Sequence, residues 1–165
     1  MRTGRWMWGA AVLASVVTCA AQTTPGNSKT APANAVLTDS EIYYAESGGI
    51  AGRTREARFI AESGNVKVEY RGSEAEPTST PLEGGLDPKE YVALWLETER
   101  LRARDIASPP RSRGMDLIEH TLTIRSLTET HTIRWNAEPT PVTLRDVEAL
   151  GQRLLNTARD AAQNK

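Results

Sequence analysis

The run REARFIAESGNVKVEYR, residues 55–71, constrains the fold more than any other part of the chain. Ala57, Phe59 and Ala61 alternate with polar or exposed positions before Ser63-Gly64, and Val66, Val68 and Tyr70 do the same after it. A period of two sends successive side chains to opposite faces of a strand. A glycine in a short connection supplies the positive φ that hairpin turns need. Turning at Ser63-Gly64 pairs Ala61 with Val66, Phe59 with Val68 and Ala57 with Tyr70, so all six share one face. A sheet with one apolar face must be covered by a second layer.

Two segments have the pattern to supply that layer. In LDPKEYVALWLETERLRA, Asp87 can cap a helix, Pro88 suits its first position and Glu90 completes a capping box. Leu86 and Tyr91 stand where a hydrophobic staple forms. Tyr91, Leu94, Trp95, Thr98 and Leu101 recur at helical spacing, which makes Trp95 a core residue. In PVTLRDVEALGQRLLNTARDAA, Thr143 and Asp146 approximate a capping box, with Val142 and Val147 as the staple. Val147, Leu150, Leu154, Ala158 and Ala161 trace the buried face.

A second alternating unit, MDLIEHTLTIRSLTETHTIRW, reads as two strands around Thr128-Glu129. That turn sets Leu122 opposite Trp135, Ile124 opposite Ile133, His120 opposite Ala137 and His131 opposite Ser126. EIYYA, from Glu41, is a further short strand, while residues 72–85 and 104–116 read as loops. The expected fold is therefore α+β: an antiparallel sheet of about five strands, in the order β-β-β-α-β-β-α, packed in two layers against two helices. Residues 41–162 form one such domain.

The beginning of the chain has a different composition. Arg2 and Arg5 precede an apolar stretch from about Trp6 to Val17, followed by small residues. That is the order of a secretory signal, and the stretch is short for a membrane span. Residues 1–21 are expected to be a signal, and the Thr-, Asn-, Ala- and Pro-rich residues 22–40 a flexible spacer. Two processing routes fit. Cleavage after Ala21 releases a secreted protein, whereas cleavage before Cys19 leaves that cysteine for lipid attachment, since VVTC resembles a lipoprotein box. Both place the domain outside the cytoplasm, in the periplasm or on the outer surface, with the lipid on Cys19 as its membrane attachment in the second route. The single cysteine rules out an intrachain disulfide.

Charge and residue types narrow the chemistry. The formal net charge is −1, and loss of the leader removes Arg2 and Arg5, which argues against nucleic-acid binding. His120 and His131 are the two histidines. They are not brought together in the register above, so no metal site is expected. No serine sits in a nucleophile elbow. The acid pairs Glu97 with Glu99 and Asp116 with Glu119 read as surface groups rather than a glycosidase dyad. Arg100, Arg102, Arg104, Arg111 and Arg113 form a basic region that reads as a helix end plus a solvated loop, or else as an anion or partner surface. The expectation is a binding module that is not an enzyme, holds no cofactor and acts as a monomer.

The stretch YAESGGIAGRT, residues 44–54, supplies the candidate binding element. It lacks the Gly-Lys-Ser/Thr ending of a P-loop and leads into a strand rather than a helix, so it is not a phosphate cradle. Gly48, Gly49 and Gly52 permit tight turns and close approach by another backbone. A purely structural turn is the other reading. A strand running into Ser47, Gly48, Gly49, Ile50, Ala51 and Gly52 resembles the emfourin family of proteinaceous inhibitors of thermolysin-like, protealysin-type metalloproteases. The order of elements over residues 41–160 is similar in outline. The resemblance implies a partner-binding segment made of Glu46, Ser47, Gly48, Gly49, Ile50, Ala51 and Gly52. It would occlude the cleft of such a protease, with Ile50 in an apolar pocket and Glu46 or Glu56 near the metal. The alternative from another class is an envelope structural or adaptor lipoprotein with no protease target.

Overall fold

The computed structural model describes residues 36–49, 52–72, 80–114, 117–136 and 140–164. The expected leader, Cys19 and most of the expected spacer lie outside the described residues, as do Ile50 and Ala51. Packed structure reaches back into the expected spacer: Val36 is buried, and Ser40 is buried with its hydroxyl 2.8 Å from that of Tyr91.

Six antiparallel strands make one sheet: β1 (Asp39–Gly48), β2 (Arg53–Glu62), β3 (Asn65–Arg71), β4 (Leu82–Gly85), β5 (Ile118–Arg125) and β6 (Thr130–Trp135). Their spatial order is β4-β3-β2-β1-β5-β6. Helices α1 (Pro88–Arg100) and α2 (Val142–Gln163) close over one face. The α+β fold with a multi-stranded antiparallel sheet against two helices is thus present. Ile42, Tyr44, Phe59, Val68, Leu122, Ile124, Ile133 and Trp135 point into the core, where they meet Tyr91, Leu94 and Trp95 of α1 and Leu144, Val147 and Leu154 of α2.

The β2–β3 hairpin has the expected register, with Ala57 opposite Tyr70, Phe59 opposite Val68 and Ala61 opposite Val66. Both residues of its turn have positive φ, Ser63 at 52° and Gly64 at 82°. The β5–β6 register differs by two residues from expectation. Leu122 faces Ile133, Ile124 faces His131 and His120 faces Trp135. The turn centres on Leu127-Thr128 and is closed by the Ser126 N–H donating to the Glu129 carbonyl at 2.8 Å. A slip of two keeps every side chain on its expected face, so the core is unchanged and only the partners shift.

Strand β4 was expected to be loop. Its sequence, Leu-Glu-Gly-Gly, has no β-branched residue, and the strand owes its place to packing. A Cβ on Gly84 would stand 2.3 Å from the Ala161 carbonyl oxygen of α2. The absence of a side chain is what lets the helix lie against this edge.

Helix α1 begins as its sequence indicates, with Asp87 accepting from the Lys89 N–H at 2.7 Å and Pro88 in the first turn. Helix α2 departs from expectation. Pro141 is its N-cap, so Val142 is the first helical residue and stands 75% exposed. A staple needs the residue before the cap, and Val142 is not that residue. The outer edge of β6 is covered by the segment after α1. Arg134 N–H donates to Ser108 Oγ at 2.9 Å, and Asn136 exchanges two hydrogen bonds with the Ser112 backbone. This strap occupies the Arg134 N–H, a backbone donor that an open edge would offer to another chain.

Candidate functional site

Strands β1 and β2 pair along their whole length, from Asp39 opposite Glu62 to Gly48 opposite Arg53. The glycine-rich stretch is therefore the tip of a long hairpin. Gly48, Gly49 and Gly52 have φ of 112°, 72° and 59°, and the Gly52 N–H donates to the Gly49 carbonyl at 3.0 Å. Gly48 is required twice over, because a Cβ there would also stand 2.7 Å from the Leu117 carbonyl oxygen. Ser47, Gly48 and Gly52 are exposed. Gly49 is half-buried beside Ile118, itself 37% exposed at the start of β5.

Glu46, expected as part of the partner-binding segment, is buried. It shares the parity of Ile42 and Tyr44, so its carboxylate turns to the helix side and is only 6% exposed. There it forms the centre of a polar cluster. It accepts from Arg55 Nε at 3.0 Å and from Arg55 Nη2, from Tyr44 Oη at 3.0 Å, and from Gln152 Nε2 of α2. Tyr44 Oη is also 3.0 Å from His120 Nδ1. The phenol has one proton and gives it to Glu46, so Nδ1 of His120 carries the hydrogen of that second bond. The His120 ring stacks on Trp135 at 5.1 Å and 9°. Among the described residues the Trp135 indole N–H has no acceptor, and ring contacts hold it in place.

Glu56 is set apart from this cluster. It lies on the sheet face away from the helices and pairs with Arg71 at 3.5 Å. It stands three residues beyond Arg53, about 10 Å back from the tip at the usual strand rise. That outer face holds a groove of about 520 Å³ between Glu41, Tyr43, Arg58, Glu69 and Arg71. Its charges neutralise one another. Glu41 bonds Arg58 at 2.8 Å and Arg125 at 3.3 Å, and Glu69 bonds Lys67 at 3.0 Å. Arg100, Arg102, Arg104 and Arg111 of the basic region are likewise engaged. Arg100 meets Glu97 at 2.6 Å, Arg102 meets Asp105 at 2.7 Å and Arg111 meets Glu119 at 2.9 Å. Arg104 lies 5.1 Å over the Trp95 ring and 3.6 Å from Glu129.

The register explains the histidines. His120 is part of the cluster beneath the tip, and His131 Nε2 sits 3.0 Å from the Ile106 carbonyl oxygen at the strap. Among the described residues no group of three or more His, Cys, Asp or Glu side chains is placed to hold a metal ion, and no helix is long and apolar enough to cross a membrane.

Burial pushes the Tyr44 phenol far above its ordinary value, with the Glu46 carboxylate adding to the effect, and burial does the same to Tyr91. A phenol whose folded pKa is raised contributes stability that is full below about pH 10, its unfolded value, and is lost as pH climbs above it. We expect two of the four tyrosines, Tyr44 and Tyr91, to ionise only as the fold is lost. Absorbance at 295 nm followed together with near-UV circular dichroism checks this. One reversible wave of all the tyrosines near pH 10 with the fold intact would contradict it.

The site thus consists of an exposed glycine tip mounted on a buried, ion-paired base. No family model matches the sequence, and no curated protein matches it.

Proposed function

We propose that this chain is an inhibitory partner of a thermolysin-like zinc metalloprotease and meets it with the tip at Ser47–Gly52. The observation that carries this reading is the exposure of Ser47, Gly48 and Gly52 at the end of the β1–β2 hairpin, on a base fixed by Glu46, Arg55 and Gln152. A base that is already ordered loses little entropy on binding. The resemblance of Ser47–Gly52 to the emfourin segment supplies the class of target. In this reading Ile50 fills an apolar pocket of the protease and the tip keeps substrate from the catalytic zinc. Glu46 has no part in the contact. It serves the tip from below.

The test is an inhibition assay of the full chain against several thermolysin-like proteases, with a peptide substrate and a protein substrate. Inhibition at a ratio of one to one is expected. Ile50→Asp should weaken it at least about tenfold, near 1.4 kcal/mol of binding, with an unchanged far-UV spectrum. A chain that leaves every such protease active, and instead co-purifies with an envelope complex, is an adaptor and not an inhibitor.

A further inference from the structure

We propose that Gln152 of α2 is the positioning residue of the tip, acting through Glu46 and Arg55. The inference rests on the reading of the tip as the partner-binding element. Gln152 touches both strands of the hairpin near its end. Its amide nitrogen donates to Glu46 Oε1, and its amide oxygen lies 3.4 Å from Arg55 Nη2. Glu46 and Arg55 are directly opposite each other in the β1–β2 register. Beyond them only Ser47 opposite Thr54 and Gly48 opposite Arg53 remain before the tip. The amide therefore bridges the last rung that carries a charge on both strands beneath the loop.

The helix reaches this rung because of the residue next to Gln152. Gly151 lets α2 approach until the Tyr44 ring occupies the space a side chain would take. Consecutive residues thus set how close the helix comes and what it holds. Among the described residues, Ser47 and Gly48 are held by pairing with Thr54 and Arg53 of β2 and with Glu119 and Ile118 of β5, and beyond them the Gly52 N–H donates to the Gly49 carbonyl. Releasing the amide frees Glu46 and Arg55 to take other rotamers while the apolar core stays in place. The tip then spends a smaller fraction of time in its binding conformation, and apparent affinity falls by that fraction.

The experiment uses the full chain, with Gln152→Met as the variant, because methionine keeps the length of the side chain and removes both bonds. Hydrogen exchange of a peptide covering the tip is compared with one covering the β2–β3 hairpin. The tip should exchange roughly tenfold faster and the hairpin at its original rate. Against an inhibited protease the inhibition constant should rise about fivefold, mostly through slower association. Arg55→Met, made from the other side of the rung, should do the same if Gln152→Met folds poorly. Unchanged tip exchange in both variants overturns the proposal, as does a loosened tip with an unchanged inhibition constant. A loosened tip in a chain whose parent inhibits no protease upholds the positioning role and removes the inhibitor reading instead.

Discussion

Gly151→Ala should destabilise the fold by about 3 kcal/mol and lower its melting temperature by roughly 10 °C. The new Cβ would stand 2.2 Å from Cε2 and Cζ of Tyr44 and 2.7 Å from Cε1. Ordinary carbon contacts lie at about 3.5 Å or more, so more than an ångström must be found. The Tyr44 ring cannot supply it cheaply. It is fully buried, packs on Trp135, and its hydroxyl is committed to Glu46 and His120. Moving α2 outward instead would strip Leu150, Leu154 and Leu155 from the core and lift Gln152 off Glu46. Helix propensity works the other way, since alanine is better than glycine by about 1 kcal/mol, and the clash outweighs it. Asn156→Ala, on the exposed side of the same helix, should change stability by no more than about 0.5 kcal/mol. In Tyr44→Leu the ring is gone, so the penalty at position 151 should shrink, and a double-mutant cycle by urea unfolding measures the coupling. A Gly151→Ala protein as stable as its parent would mean that α2 does not lie where the sheet requires it.

That contact was invisible in the sequence, although the layers that make it were not. Period-two alternation on both sides of a glycine turn fixed the β2–β3 register, because a slip by one would have put Phe59 and Val68 on opposite faces of the sheet. The β5–β6 pairing is less determined. Ser126-Leu127-Thr128-Glu129 has neither glycine nor asparagine to mark its turn, and a slip of two costs no apolar burial. The face of each residue was therefore legible and its partner was not, which is why His120 was set opposite Ala137 and not against Trp135. Strand β4 could not be read from Leu-Glu-Gly-Gly, since its pairing depends on α2 lying over Gly84. Glu46 carried a readable signal that went unused. It continues the parity of Ile42 and Tyr44, and a carboxylate on a core-facing position calls for buried donors. The donor from α2, Gln152, is more than a hundred residues away in the chain, and nothing local announces it. The exposure of Ser47, Gly48 and Gly52 follows from their place at a hairpin end, which the flanking strands did suggest.

Glu46→Ala should cost about 3 kcal/mol, a loss comparable to that from Gly151→Ala and of a different origin. The carboxylate gathers four donors: Arg55 Nε and Nη2, the Tyr44 hydroxyl and the Gln152 amide. Removing it leaves these groups facing a small void. The Arg55 side chain is 39% exposed and can rehydrate in part, which limits the penalty. The Tyr44 hydroxyl is buried and cannot, and it must turn to His120 alone. Glu46→Gln keeps the shape and one acceptor, so about half the loss should remain. Replacing both partners, as Glu46→Leu with Arg55→Leu, removes the unpaired charge together with its neutraliser and should recover most of the stability. Urea unfolding of the three variants separates these cases. If Glu46→Ala loses less than about 1 kcal/mol, or if the double replacement is worse than the single one, the cluster is not the base on which the tip stands. Recovery of stability without recovery of tip order in the double variant is the outcome the geometry favours. Leucines fill the rung, but they offer Gln152 nothing to hold.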